Sequence, residues 1–180
     1  VPEQPLDMVA SLESGQAHRW KKEDGWHTSV VQGNYIKIRQ TDEYIEYHCA
    51  PGSEESLLPL MRSYFRMDDD LDDVYSEITR DDRVATMVDR YPGLRLLRQE
   101  PWECFIAFIT SANSNIPRIH QGMEKMAASY GNPIYMDGSV RHAFPNPEQL
   151  AGAGEMGLRQ LGLGFRAPYV DQAAKLVAEA

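Results

Sequence analysis

Residues 35–48 read YIKIRQTDEYIEYH, with apolar and polar side chains alternating on both sides of the segment Thr41-Asp42-Glu43. A period of two is typical of a strand that buries one of its faces. Short sequential strands joined by tight turns form an antiparallel meander. This stretch therefore predicts two neighbouring antiparallel strands.

The residues before and after this stretch extend the predicted sheet domain. Segments 7–12, 16–21 and 26–31 are short and partly apolar, and Asp24-Gly25 between the last two is a hairpin signal. From residue 54 the period becomes helical, because the residues at 57, 60, 61, 64 and 65 share one apolar stripe. Residues 1–66 are therefore predicted to form an antiparallel β-sheet domain with a covering helix.

Helical patterns continue after the sheet. The run Asp68-Asp69-Asp70 supplies an N-cap and an acidic first turn for a helix through Leu71 to Ile78, and a short helix is predicted over 84–91. Residues 101–109 are apolar nearly all round. That pattern predicts a buried central helix and makes Cys104 a small core residue rather than a reactive thiol.

Residues 67–180 as a whole are predicted to form an all-α helical domain. The remaining helices are expected from residue 115 to Gly131, over 155–161 and from residue 166 onward, with 132–147 as a loop. The predicted fold class is therefore α+β.

Composition indicates a reduced, cytoplasmic globular protein. Of 180 residues, 42% are hydrophobic and 25% charged, and no stretch approaches the ~20 apolar residues of a membrane span. Two cysteines are too few for a disulfide framework. A net charge of -9 argues mildly against nucleic acid as a partner. The chain starts without Met and stops within a helical pattern, which predicts that it is part of a larger protein.

No common catalytic motif is present, since the sequence lacks GxGxxG, a Walker A loop, HExxH and GxSxG. The histidines show no metal-ligand spacing, so neither a metal nor a cofactor is predicted.

Two loops carry residues suited to DNA. Residues 111–118 read SANSNIPR and follow the apolar helix, and residues 161–166 read LGLGFR between two helices. Each alone has a structural interpretation, as a helix end or as a Phe packed inward. Together they offer an aromatic wedge, short amides and two guanidiniums. These groups can take a base out of a DNA stack and read the base left behind.

Four runs carry a further signal: LESGQAHRW (12–20), LLRQEPWEC (96–104), TSANSNIPRI (110–119) and LGLGFRAPY (161–169). In this order and at this spacing they resemble the 8-oxoguanine DNA glycosylases of the helix-hairpin-helix superfamily. The resemblance covers essentially the whole chain. It implies an N-terminal sheet similar in topology to the TATA-binding protein repeat, followed by helices.

The resemblance implies base-excision DNA repair. The family flips 8-oxoguanine from its place opposite cytosine, cleaves the N-glycosidic bond and acts as a lyase at the abasic site. Gly15 matches the glycine whose main-chain carbonyl accepts the N7 hydrogen of 8-oxoguanine, which guanine lacks. The implied protein is a monomer without cofactor, metal or membrane, and its partner is double-stranded DNA containing 8-oxoguanine. It would work in the cytoplasm or nucleoid of a prokaryote, or in the nucleus of a eukaryote.

The other implied site residues face the DNA around the lesion. Asn113 matches the amide that fills the space left by the flipped base, and Asn115 matches a supporting amide. Phe165 matches the wedge. Arg118 and Arg166 match the pair that hydrogen-bonds the estranged cytosine.

The family's nucleophilic Lys and essential Asp have no counterpart in these 180 residues, and Lys175 lies outside any hairpin motif. No catalytic residue is therefore assigned, and the chain alone is predicted to be inactive and to bind DNA weakly. Local positive charge is expected from arginines near the loops: Arg118, Arg141, Arg159 and Arg166.

Two alternatives stay open. One is a glycosylase of the same superfamily that excises alkylated bases, against which the Gly15 segment speaks. The other is a non-enzymatic module that binds DNA lesions or other proteins.

Overall fold

A computed structural model describes residues 4–180. It contains a four-stranded antiparallel sheet with the strands in chain order, so the predicted meander is confirmed. The strands are β1 (Lys21–Glu23), β2 (Trp26–Val31), β3 (Asn34–Gln40) and β4 (Ile45–Ala50).

One face of the sheet packs on two helices, α1 (Met8–Glu13) and α2 (Glu54–Tyr64). Ile36 and Ile38 of β3 are buried there together with Leu57 of α2. The predicted covering helix is therefore confirmed.

The strand predicted over 7–12 is wrong, because this segment forms α1. Asp7 caps the helix by accepting a hydrogen bond from the main-chain N–H of Ala10 at 2.8 Å, and the buried residues of α1 have helical spacing. A side-chain cap and one buried helical stripe outweigh a short, partly apolar pattern. The strand predicted over 16–21 is also wrong, since β1 starts only at Lys21.

Helices follow the sheet, and α5 to α8 enclose a second core around Ile106, Met123, Leu150 and Val170. They are α3 (Leu71–Ile78), α4 (Asp82–Arg90), α5 (Pro101–Ser111), α6 (Ile116–Tyr130), α7 (Pro147–Gln160) and α8 (Ala167–Ala178), with a 3-10 turn over Gly164–Arg166. The α+β class is confirmed, whereas the boundary at 66/67 stays a prediction.

α5 is not buried all round. Only the side that carries Ile106 and Ala107 packs inward, while Phe108 is 74% exposed and Cys104 is exposed. The prediction of a core cysteine is therefore wrong. An apolar pattern reports which side chains avoid water, and it does not say which side of a helix has a neighbour in this chain.

The predicted loop at 132–147 contains a hairpin of β5 (Pro133–Met136) and β6 (Ser139–His142). It packs on the outer face of the sheet, where Met136 lies with Val30 and Tyr35 in a small apolar cluster. α7 starts earlier than predicted, at Pro147, because Asn146 caps it by accepting a hydrogen bond from the main-chain N–H of Gln149 at 2.8 Å. The non-helical backbone of Gly154, with a φ of 65°, kinks α7 just before the predicted segment 155–161.

A buried ion cluster joins the sheet to the helices. Arg19, 3% exposed, donates to Glu124 of α6 at 2.8 Å and to the main-chain oxygen of His142 at 2.5 Å. Arg141 of β6 donates to the same Glu124 carboxylate at 3.3 Å, and Glu103 of α5 lies 3.6 Å from Arg19. Buried charges are tolerated only when paired, so this cluster holds the start of β1, α5, α6 and the hairpin together.

The pKa values of the two carboxylates in the cluster are shifted in opposite directions. Burial raises the pKa of Glu103 to about 7, and Arg19 offsets this only in part. Burial also acts on Glu124, but Arg141 and Arg19 together hold the pKa of that carboxyl below its usual value.

We expect Glu103→Gln to flatten the dependence of stability on pH. The folded protein keeps a proton on Glu103 up to about pH 7, whereas the unfolded chain releases it near 4.5. The parent therefore loses stability as the pH rises through this window, and the variant lacks that loss. Melting temperatures at pH 5 and pH 8 check this, with the exposed Glu148→Gln as control. If the melting temperatures of Glu103→Gln and the parent differ by the same amount at both pH values, the prediction is contradicted.

Candidate nucleic-acid interface

Gly15 lies in the turn after α1, close to the start of α6. Its φ is +85°, a region that favours glycine, and a Cβ at this position would lie 2.9 Å from Cδ1 of Ile116. Within residues 4–180, no donor forms a hydrogen bond with the main-chain oxygen of Gly15. The proposed lesion reader is therefore an available carbonyl.

A pocket of ≈ 370 Å³ opens beside this turn. Gly15 and Ile116 line it together with His120, one helical turn further along α6. The turn and the helix thus form one concave surface, although they are separated by about a hundred residues in the sequence.

The start of α6 presents two of the predicted DNA contacts. Asn115 is the N-cap, and its side chain accepts a hydrogen bond from the main-chain N–H of Arg118 at 3.0 Å. The side chain of Arg118 is exposed, and it has no hydrogen-bond or ion-pair partner in the part of the chain that the structure describes. Its five N–H donors are free to meet a ligand.

Asn113 and Arg166 are joined directly. The Arg166 guanidinium donates to the main-chain oxygens of Ala112 at 2.8 Å and Asn113 at 2.6 Å. Asn113 has a φ of +49°, and its residue is exposed. Arg166, only 4% exposed, therefore holds the backbone from which Asn113 projects.

Phe165 projects beside this pair from the 3-10 turn, 51% exposed. The Arg166 guanidinium carbon lies 4.4 Å from the centroid of its ring, which is a cation–π distance. The alternative in which this Phe packs inward is therefore wrong.

The structure thus brings the predicted residues together through two connections. Gly15 meets α6 at Ile116, and Arg166 ties the 161–166 loop to the 111–118 loop. No direct contact joins Gly15 to Arg166 among the described residues.

The expected local charge is smaller than the sequence indicates. Arg141 is 9% exposed and paired with Glu124, so it offers nothing to a ligand. Arg159 is exposed but pairs with Glu155 at 2.7 Å. Within the described residues, Arg118 is exposed and unpaired at these loops, and Lys125 adds an exposed charge that donates to the main-chain oxygen of Leu161 at 3.5 Å.

A histidine pair beside Gly15 was not expected from the sequence. The rings of His18 and His120 meet edge to face with centroids 5.2 Å apart. Burial lowers the pKa of both imidazoles, and the pair adds repulsion at His18. Both shifts favour the neutral form of the ring. Only spacing in three dimensions reveals the pair, since 102 positions in the numbering separate its members.

Across residues 4–180, no helix is both long and apolar enough to cross a membrane. No three His, Cys, Asp or Glu residues in that range gather where they could hold a metal ion.

Comparisons with known proteins place these features in a family. The sequence model described as 8-oxoguanine DNA glycosylase, N-terminal domain, matches residues 1–105. The chain is 33% identical over 184 residues to the N-glycosylase/DNA lyase of Saccharomyces cerevisiae and 30% identical over 172 residues to N-glycosylase/DNA lyase OGG1 of Arabidopsis thaliana. These alignments cover 94% and 92% of this chain but 49% and 47% of the relatives, so the chain spans about half their length.

A solved structure gives the same result. The structure of MBOgg1 in complex with a low-affinity DNA ligand superposes with a TM-score of 0.91 at 28% identity, covering 99% of this chain and 62% of the other. The chain belongs to the family of 8-oxoguanine DNA glycosylases.

Proposed function

We propose that this chain is the lesion-recognition part of an 8-oxoguanine DNA glycosylase/lyase that acts on double-stranded DNA. The observation that carries the proposal is the Gly15 turn, whose carbonyl has no hydrogen-bond donor among the described residues and which meets the start of α6 at Ile116, in the loop that bears Asn113 and Arg118. The protein repairs DNA by base excision as a monomer, in the nucleoid or cytoplasm of a prokaryote or in the nucleus of a eukaryote.

Recognition rests on one hydrogen. The N7 atom of 8-oxoguanine carries a hydrogen that donates to the Gly15 oxygen, whereas N7 of guanine is an acceptor and would face another acceptor. Leaving a polar group unpaired in this way is unfavourable, which is how a site rejects a near-identical base.

The other residues act on the DNA around the lesion. Phe165 enters the stack as a wedge, and Asn113 fills the space that the flipped base leaves. Arg118 reads the estranged cytosine with its free guanidinium. Arg166 can add a contact only through donors that Ala112 and Asn113 do not already hold.

Bond cleavage needs a nucleophilic amine, which we place outside these residues. Lys175 on α8 pairs with Asp171 at 2.7 Å, one helical turn away. This ion pair engages the Lys175 amine on its own helix. The same contact supports the alternative that residues 1–180 by themselves bind lesions without catalysis.

The direct test is affinity. Residues 1–180 should bind a duplex with 8-oxoguanine opposite cytosine more tightly than the same duplex with guanine. Equal affinity for both duplexes would count against the proposed function.

We expect residues 1–180 to form no covalent adduct with an 8-oxoguanine duplex under borohydride. The reason is that Lys22, which lines the pocket beside Gly15, is paired with Glu13, and Lys175 is paired with Asp171. Gel separation of the trapped complex measures this, and the natural full-length protein serves as the positive control. A trapped band that disappears in Lys175→Gln would assign the chemistry to this chain.

We expect Gly15→Ala to lower both stability and lesion preference. The positive φ costs about 1 kcal/mol for Ala, and the methyl group meets Ile116. Gly25→Ala is the matched control, because its φ is +78° and its Cβ would meet nothing within 4 Å. Both variants should melt lower, but only Gly15→Ala should reduce the preference for 8-oxoguanine over guanine. An equal preference in the two variants would remove the role of Gly15.

We expect the two arginines to separate into different roles. Arg166→Ala should lower the free energy of unfolding by about 1–3 kcal/mol, because two main-chain oxygens lose a charged donor. Arg118→Ala should leave stability within about 0.5 kcal/mol and weaken discrimination of the opposite base by about 1–3 kcal/mol. In the full-length protein, thermal unfolding measures the stability of both variants, and excision opposite each of the four bases measures their discrimination of the opposite base. Loss of stability in Arg118→Ala would contradict this assignment.

A further inference from the structure

The proposed reader at Gly15 is a main-chain oxygen on the most flexible kind of residue. A hydrogen bond weakens steeply when its angle or distance departs from the optimum. Glycine restricts its own backbone less than any other residue. Discrimination through this carbonyl therefore requires neighbours that fix its direction.

Gln16, the next residue, makes hydrogen bonds that fit this requirement. Its side-chain Nε2 donates to the main-chain oxygens of Ser11 at 3.0 Å and Arg95 at 2.8 Å. Its Oε1 accepts from the main-chain N–H of Leu97 at 2.9 Å. The main-chain oxygen of Gln16 accepts from Nε2 of Gln99 at 2.6 Å.

These four bonds connect separate parts of the site. Ser11 belongs to α1, which ends just before the Gly15 turn, whereas Arg95, Leu97 and Gln99 lie in the segment that leads into α5. α5 in turn ends at the 111–118 loop. Gln16 therefore couples the direction of the Gly15 peptide to the element that carries the DNA-facing loop.

We infer that Gln16 is a positioning residue for lesion specificity, assisted by Gln99, and that it aims the Gly15 carbonyl at N7 of the flipped base. The inference rests on the proposed function. Gln16 itself touches main-chain groups and acts on the base only through Gly15. No change in affinity for undamaged DNA follows from it.

The chain offers a matched control in Gln40. Its Oε1 accepts from the main-chain N–H of Met8 at 2.8 Å, and its Nε2 donates to the main-chain oxygen of Leu6 at 2.8 Å. Gln40 thus secures the opposite end of α1 by the same kind of bonds, away from Gly15. Gln→Met at either position keeps the length of the side chain and removes its hydrogen bonds.

The experiment compares Gln16→Met and Gln40→Met in the natural full-length protein. Dissociation constants are measured for duplexes that differ only in 8-oxoguanine or guanine opposite cytosine, together with melting temperatures. We expect both variants to melt lower. The preference for 8-oxoguanine should fall about fivefold or more in Gln16→Met, the scale of one hydrogen bond, and by less than about twofold in Gln40→Met.

Gln99→Met provides a second variant that removes only the bond to the Gln16 carbonyl, and it should lower the preference in the same direction by a smaller factor. It decides the question if Gln16→Met does not fold. An unchanged preference in the folded Gln16 and Gln99 variants would overturn the inference and leave the proposed function standing. If the preference for 8-oxoguanine falls as much in Gln40→Met as in Gln16→Met, the role of Gln16 is structural only. A parent protein without any preference would overturn the proposed function itself, and the inference with it.

Discussion

The buried guanidinium of Arg19 joins the start of the sheet to α6 and to the β5–β6 hairpin. It donates to Glu124 and to the main-chain oxygen of His142. A buried charge without a partner strongly destabilises the folded state, so the fold depends on these partners. Arg19 follows Gly15 by four residues, and Glu124 follows Arg118 by six on the same helix. The pair therefore sets the distance between the Gly15 turn and the loop before α6.

The site is built from main-chain groups held by side chains. Arg166 holds the carbonyls of residues 112 and 113, Asn115 holds the first turn of α6, and Gln16 holds the Gly15 turn. Each of these side chains satisfies backbone groups that would otherwise lack partners. Such bonds make a loop rigid before a ligand arrives, which reduces the entropy lost on binding. The residues left exposed, among them Arg118 and Phe165, are the ones that we propose contact DNA.

This division changes how the two arginines of the predicted pair are understood. As residues in a sequence they are equivalent readers of a cytosine. In the structure Arg166 is buried and engaged, whereas Arg118 is exposed and unengaged among the described residues. Burial and partners, which depend on contacts between distant segments, are the reason we propose a supporting role for Arg166 and a reading role for Arg118.

By itself, the sequence determined the α+β class, the antiparallel meander and the cap at Asn115, because alternation and capping are local properties of the chain. It also identified the two loops and the Gly15 turn through motif resemblance. It misassigned α1, the exposed side of α5 and the 133–142 hairpin, where local preference is weak and packing decides. Only the tertiary structure decided that Gly15 meets Ile116, that His18 faces His120 and that Gln16 reaches residues 95 and 97. Those contacts join segments about 80 to 100 residues apart, and no local pattern in the chain encodes which distant backbone groups a side chain will meet.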